Sequence, residues 1–323
     1  MNQKLTRRTF LARTVVGSAA ATAAAHAADP ATAPAGPPSA TAASGTLPHG
    51  KLGRLTVSRL ISGGNLISGW AHSRDLHYVP SLMRAYNTEA KVLETLARLE
   101  SQGVNTIIAD PAKKPMDLFA RHWKQGGKIQ WIAEGHPEIN DWKTDIQRSI
   151  DFGAAAVYVQ GVIGDQWYKS GHLDLLGRCV ELVRRQGLPA GIGAHKLEVI
   201  LESEKDNLGA EFYVKTLHPV NYWSTRRPDQ TLDVVDNPAD NYWDLDPERT
   251  IRAMLAITKP WIAFKTLAAG AIRPEAGFRY AFENGADFIC VGMFDFQVDA
   301  NARLVRTLLA SPEIQNRPRE WWA

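Results

Sequence analysis

From residue 50 onward, short apolar runs alternate with amphipathic stretches. The runs are Arg59–Gly63, Thr106–Ala109, Ile129–Ala133, Ala155–Val159, Pro189–Gly193, Phe212–Lys215, Trp261–Lys265 and Phe288–Val291. Between them, apolar residues recur at helical spacing over Thr88–Gln102, Met116–Gln125, Asp141–Phe152, His172–Gln186, Leu197–Asn207, Pro247–Thr258, Pro274–Asn284 and Asp299–Leu309. Thr88, Asp141 and Asp246 stand where helix caps belong, and Gly103, Gly153, Gly187 and Gly285 where helices should stop. The runs are continuous rather than alternating, as expected of parallel strands buried on both faces. Eight strand–helix units predict an α/β fold closed into a (β/α)8 TIM barrel. An open doubly wound sheet is the rival, but no Gly-x-Gly-x-x-Gly follows the first run. Lys51–Ser58 reads as a hairpin under the barrel floor. Long insertions follow the first run (Asn65–Asn87) and the sixth (Thr216–Asp246).

The start of the chain changes this picture. Thr6-Arg7-Arg8-Thr9-Phe10-Leu11-Ala12 leads into an Ala-rich apolar stretch that closes on Ala25-His26-Ala27. That is the pattern of a twin-arginine export signal with a small-x-small cleavage site. It predicts a periplasmic or secreted protein, carried folded by the twin-arginine translocase and commonly loaded with its cofactor. The apolar stretch is too short to span a bilayer, so no stable membrane anchor is expected. Residues 28–49 are almost all Ala, Pro, Gly, Ser and Thr and read as a disordered tether. The expected layout is a signal at 1–27, a tether at 28–49 and one barrel domain at 50–323. The formal charge of +3 partly reflects the basic leader, and no basic cluster interleaves with aromatics, so no nucleic-acid partner is expected. Cys179 and Cys290, the only cysteines, read as free thiols in a chain folded before export.

The chemistry-bearing residues gather after the runs. Strand ends supply Asp110, Glu134 with His136, Gln160, His195 with Lys196, Lys215, His218 and Lys265, and the first insertion adds Trp70, His72, Arg74, Asp75 and His77. Residues at the carboxyl ends of barrel strands converge in space. Asp110, Glu134, His195 and Lys265 are therefore the catalytic candidates. Glu134, His136 and His195 form a candidate ligand set for a divalent metal ion. The same groups can equally serve as general acid and base. Trp70, His72, Arg74, His77 and His218 are candidates for binding a small-molecule substrate, possibly a sugar. Plainer roles stand beside these: Glu134 as ion-pair partner of Lys265 or Lys215, His218 as a loop cap, and Lys265 as a salt bridge, an anion grip or a Schiff-base amine.

Several stretches resemble the aldo-keto reductase superfamily in order along the chain. They are Leu52-Gly53-Arg54 with Val57-Ser58-Arg59-Leu60 and Gly63-Gly64, Gly103–Asp110, Gly191-Ile192-Gly193-Ala194-His195, Leu217-His218-Pro219 and Phe264–Gly270. The resemblance implies the same barrel, an NAD(P) cofactor held near Gly270 and Gly292, and a catalytic Asp–Tyr–Lys–His tetrad. Only Asp110 has a counterpart. Pro115 stands where the tyrosine belongs, Glu134 where the lysine belongs, and Gln160 where the histidine belongs. A carboxylate in the lysine's place raises a neighbouring phenol's pKa, opposite to what carbonyl reduction requires. Gly292-Met293-Phe294-Asp295 also lacks the Lys-Ser and Arg that grip the 2′-phosphate of NADPH in that family. The sequence thus points first to acid–base or metal-assisted chemistry (lyase, hydrolase or isomerase) on a carbohydrate-like substrate. The alternatives are an NAD(P)-dependent oxidoreductase and a non-catalytic binding protein.

Overall fold

The computed structural model describes residues 46–237 and 239–322. The export signal and the tether up to residue 45 lie outside the described residues. Residues 46–49 already belong to the domain: Leu47 is buried, and the Pro48 carbonyl accepts the Arg59 N–H at 2.9 Å.

Strands β1 (His49–Leu52) and β2 (Leu55–Ser58) form an antiparallel hairpin. The next eight strands are β3 (Leu60–Gly63), β4 (Thr106–Ala109), β5 (Gln130–Gly135), β6 (Ala156–Val159), β7 (Ala190–Ala194), β8 (Phe212–Thr216), β9 (Trp261–Phe264) and β10 (Phe288–Gly292). They close into a parallel barrel in chain order, with β10 pairing back onto β3. Each sits within two residues of its apolar run, because a run buried on both faces marks itself without help from its neighbours. The inward positions Ile61, Ile108, Ile132, Ala156, Tyr158, Phe212, Val214, Ile262 and Phe288 form one cluster, which Leu52 and Val57 of the hairpin complete from below. The hairpin is fastened there by polar side chains. Asn105 accepts the Ser58 N–H at 2.9 Å, and Asn105 and Gln130 both donate to the Thr56 carbonyl. The floor is plugged, so function belongs to the opposite end.

The outer layer holds α1 (Asn65–Ser68), α2 (Val79–Tyr86), α3 (Glu89–Ser101), α4 (Lys113–Lys124), α5 (Thr144–Phe152), α6 (Gly161–Ser170), α7 (Asp174–Arg185) and α8 (Leu197–Lys205). It continues with α9 (Pro247–Ala256), α10 (Pro274–Glu283), α11 (Asp295–Leu309) and α12 (Pro312–Gln315). Thr88 and Asp246 cap their helices through the side chain, while Asp141 accepts the Thr144 N–H just ahead of α5. Two helices, α4 and α11, begin before their expected positions, and α1, α2, α6 and α12 lie where none is expected. α4 starts at Lys113 and carries the buried Pro115 in its first turn, where proline costs little. α11 starts at Asp295 rather than Asp299, and α6 occupies Gly161–Ser170, between two expected helices. No described helix is long and apolar enough to cross a membrane.

Candidate active site

The centre of the mouth is set by a close approach that only glycines permit. A Cβ on Gly164 of α6 would lie 2.5 Å from the Gly193 carbonyl oxygen, and one on Gly193 would lie 2.8 Å from the Val159 carbonyl oxygen. With those Cβ atoms missing, α6 lies directly on the end of β7 and carries the fully buried Asp165 beside His195. The Asp165 carboxylate accepts the backbone N–H groups of His195 (3.1 Å) and Lys196 (2.9 Å), at the start of α8. It also lies 2.8 Å from His195 Nδ1. An ionised carboxylate only accepts, so Nδ1 carries the proton and Nε2 keeps a lone pair. Nε2 is buried and has no hydrogen-bond partner. Burial drives the imidazole below its ordinary pKa despite the opposing charge of Asp165, so His195 is neutral near pH 7.

Lys265 occupies the neighbouring wall. It follows β9 with a left-handed backbone (φ 58°), a conformation that costs a non-glycine residue about 1–3 kcal/mol and collects at functional sites. Its Nζ lies 2.9 Å from His72 Nε2 and 3.6 Å from the centre of the Trp243 ring. Burial pulls the ammonium down to about 7, against the charges of Glu134 and Asp165. Trp243 is the shared surface, because the rings of His195 and His72 also pack on it, at 5.0 and 4.6 Å between centroids. His218 holds that indole in place. Its Nε2 accepts the N–H groups of Trp243 and Asp244 at 2.9 and 3.0 Å, and its Nδ1 faces the Pro219 carbonyl. The backbone thus uses both ring nitrogens of His218.

Across the mouth stands Glu134, whose carboxylate lies 3.8 Å from His136 Nε2. Burial raises its pKa, but His136, Lys265 and Tyr158 together hold it below the usual carboxylate range. Burial and Glu134 push the Tyr158 phenol well above its ordinary value, so Tyr158 is no acid at neutral pH. Cys290, partly exposed, is likewise raised by burial and by Glu134. Asp110 lies at the same end and accepts the Ser68 hydroxyl at 2.5 Å.

The other sequence candidates scatter in role. Arg74 joins the two insertions: its side chain pairs with Asp240 at 3.1 Å and donates to the Ser224 carbonyl. His77 and Trp70 are exposed on the first insertion. Lys215 alternates outward from Val214, is fully buried, and bonds Thr216, with Asp244 at 3.5 Å. Neither Lys215 nor Lys265 forms an ion pair with Glu134, because Lys265 turns to His72 and Lys215 to Asp244. The metal set Glu134, His136 and His195 is not assembled. Glu134 and His136 meet on one wall while His195 commits its Nδ1 to Asp165 on the other, and no group of three such ligands forms among the described residues. Gly270 is a left-handed turn residue (φ 93°) with open space beyond its Cα, and Gly292 ends β10, exposed at the mouth. Asp165 is the residue that sequence reading missed. Its signal was the pair Gly161 and Gly164, three apart and facing the glycine-rich strand Ala190–Ala194.

No protein-family model matches the chain, and no curated protein does. Solved structures do. A protein from Pseudomonas aeruginosa assigned to the aldo-keto reductases superposes with a TM-score of 0.54 at 16% identity, over 82% of this chain and 97% of that one. The holo form of an aldo-keto reductase from Bacillus halodurans gives 0.54 at 13% identity, over 86% of this chain and 97% of that one. The likeness is one of fold: an eight-stranded parallel barrel like those of these aldo-keto reductases. What fills its mouth is this chain's own.

Proposed function

We propose that the chain is an oxidoreductase acting on a small alcohol–carbonyl pair, with His195 and Asp165 in place of the family's tyrosine and lysine as proton carriers. One observation carries the reading: a buried, neutral imidazole whose Nδ1 is fixed by a carboxylate at 2.8 Å and whose Nε2 has no partner. The fold likeness adds to it, and of the readings open from sequence it favours this one over metal-assisted chemistry.

The residues around the last two strands fit a nicotinamide dinucleotide. After β9 the backbone is left-handed at Ala268, Ala269 and Gly270, a Cβ on Gly270 would meet nothing within 4 Å, and the buried Thr266 hydroxyl lacks a partner. That turn would hold pyrophosphate. Asp295 opens α11 where a 2′-phosphate grip is needed, and its carboxylate is already bonded by Tyr86 and Lys91. The stretch therefore suits NAD(H) and opposes NADP(H). When bound, the nicotinamide ring supplies the hydride acceptor.

His195 acts as base in the oxidative direction. Its Nε2 takes the hydroxyl proton as the C–O bond becomes a carbonyl, and Asp165 stabilises the imidazolium that forms. A lowered imidazole pKa keeps the base form present at neutral pH, which favours alcohol oxidation over reduction. Titration of the purified protein with NADH and NADPH tests the reading. NADH should bind at least about tenfold more tightly, a difference of about 1.4 kcal/mol. Binding of neither nucleotide would remove it. The second reading is nicotinamide-free acid–base chemistry on a carbohydrate-like substrate, favoured by the Glu134–His136 pair in the same mouth. The twin-arginine pattern supports a reaction outside the cytoplasm under either reading, and N-terminal sequencing of exported protein, expected to begin at Ala28, tests that.

A further inference from the structure

We infer that the Lys265 amine is a carbonyl-capture site, forming a reversible imine with small aldehydes or ketones in the barrel mouth. This goes beyond the oxidoreductase reading and needs no nicotinamide. Three features of the mouth converge on it. Lys265 is a half-buried residue, and among the described residues no carboxylate forms an ion pair with its amine. Its partners are a histidine nitrogen and an aromatic face: His72 Nε2 at 2.9 Å and the Trp243 ring at 3.6 Å. A neutral amine needs only one acceptor for an N–H, and His72 provides it. The second feature is the backbone. Lys265 holds a left-handed conformation (φ 58°) that a lysine with no task at this position would not require. The third is the neighbour. His195 packs on the same indole and presents a buried Nε2 with no partner. Burial of the amine, which pulls it to about 7, agrees with these features.

The step balances without an added reactant. The Nζ lone pair attacks the carbonyl carbon, the C–N bond forms, and the π electrons pass to oxygen. His195 Nε2 carries two protons in turn from nitrogen to that oxygen: the first gives the carbinolamine, and the second leaves nitrogen as the C–O bond breaks. Water leaves, and the products are the imine and one water molecule. Burial disfavours the charged ammonium, against the cation–π attraction of the Trp243 face, and so favours the nucleophilic form.

Reductive trapping tests it. The full chain is incubated at pH 7 with dihydroxyacetone and sodium cyanoborohydride, and the adduct is mapped by peptide mass spectrometry. One dominant adduct is expected on Lys265, formed at least about tenfold faster than on exposed lysines such as Lys113, since an ordinary lysine near pKa 10.4 is almost wholly protonated at that pH. Lys265→Arg and Lys265→Met should both abolish it, the second with the melting temperature at pH 7 nearly unchanged. His195→Gln should slow trapping without moving its site. Labelling spread over exposed lysines with Lys265 no faster would overturn the inference, and so would an adduct that survives in Lys265→Arg. The nucleotide titration is separate, so trapping without NADH binding leaves the imine standing and removes the oxidoreductase reading.

Discussion

Replacing Asp165 by asparagine isolates the proton carrier from the rest of the mouth. The amide has the carboxylate's size, so the glycine-lined approach of α6 to β7 is kept. Its single oxygen can still accept the N–H groups of His195 and Lys196, at 3.1 and 2.9 Å in the parent. The amide nitrogen then faces His195 Nδ1, now as a donor. Nδ1 must become the acceptor, and the ring proton moves to Nε2. One hydrogen bond to a charged partner is lost, about 1.5–3 kcal/mol, partly offset because a buried charge is lost with it. A net loss of about 1–2 kcal/mol would lower the melting temperature by several degrees at about 2–4 °C per kcal/mol for a domain somewhat smaller than this one. Alcohol oxidation should fall by about 10²–10⁴-fold, the usual share of a positioned base. The tautomer itself is readable without a substrate, from long-range nitrogen–proton correlations of the histidine rings. The parent should show protonated Nδ1 at His195 and the variant protonated Nε2. A parent already protonated at Nε2, or a variant with the same tautomer as the parent, would refute the assignment.

Other perturbations separate the remaining groups. Lys265 holds a pKa of about 7 in the fold, and an unfolded lysine has about 10.4, so between those values only the unfolded chain binds the proton and stability rises with pH. Lys265→Met should remove that slope, so urea midpoints of parent and variant must diverge between pH 7 and pH 9; parallel midpoints would contradict a depressed amine. Glu134→Gln removes the charge that holds Tyr158 up, so the phenol's ultraviolet titration should move downward, though burial keeps it above the ordinary value. Gly164→Ala forces a Cβ to within 2.5 Å of the Gly193 oxygen and should cost about 1–3 kcal/mol in chemical denaturation, with activity falling further than stability because Asp165 is displaced. Wild-type stability in that variant would mean that α6 can shift without harm.

The barrel was legible in the sequence because its strands are buried on both faces and its helices on one, two patterns that do not overlap. The mouth was less legible, for a physical reason. Glu134, His195 and Lys265 announced themselves by standing after strands, but Asp165 stands inside a helix that contains Gly161 and Gly164. In the fold those glycines are what let a helix touch a strand end. His218 illustrates the opposite error. Its position after β8 suggested substrate binding, yet the backbone of Trp243 and Asp244 takes its Nε2, a contact that joins residues 25 and 26 positions apart and leaves no local trace.

The departures from the aldo-keto reductase pattern are coupled. With glutamate in the lysine's place, a phenol on that wall is pushed up rather than down, and Tyr158 shows the effect. A tyrosine acid has no use beside such a carboxylate. The neutral, unpartnered nitrogen and the depressed amine stand instead on the wall formed by the fifth and seventh barrel strands, β7 and β9, joined through Trp243. Glu134 then serves that wall from a distance: its charge reaches Lys265 without forming an ion pair, and raises the amine's pKa where a bonded carboxylate would have fixed it as ammonium. A lysine at position 134 would add a like charge, drive the amine lower still and leave His136 without its carboxylate. The glutamate and the low-pKa lysine are in that sense one arrangement, with each change of residue making the other tolerable.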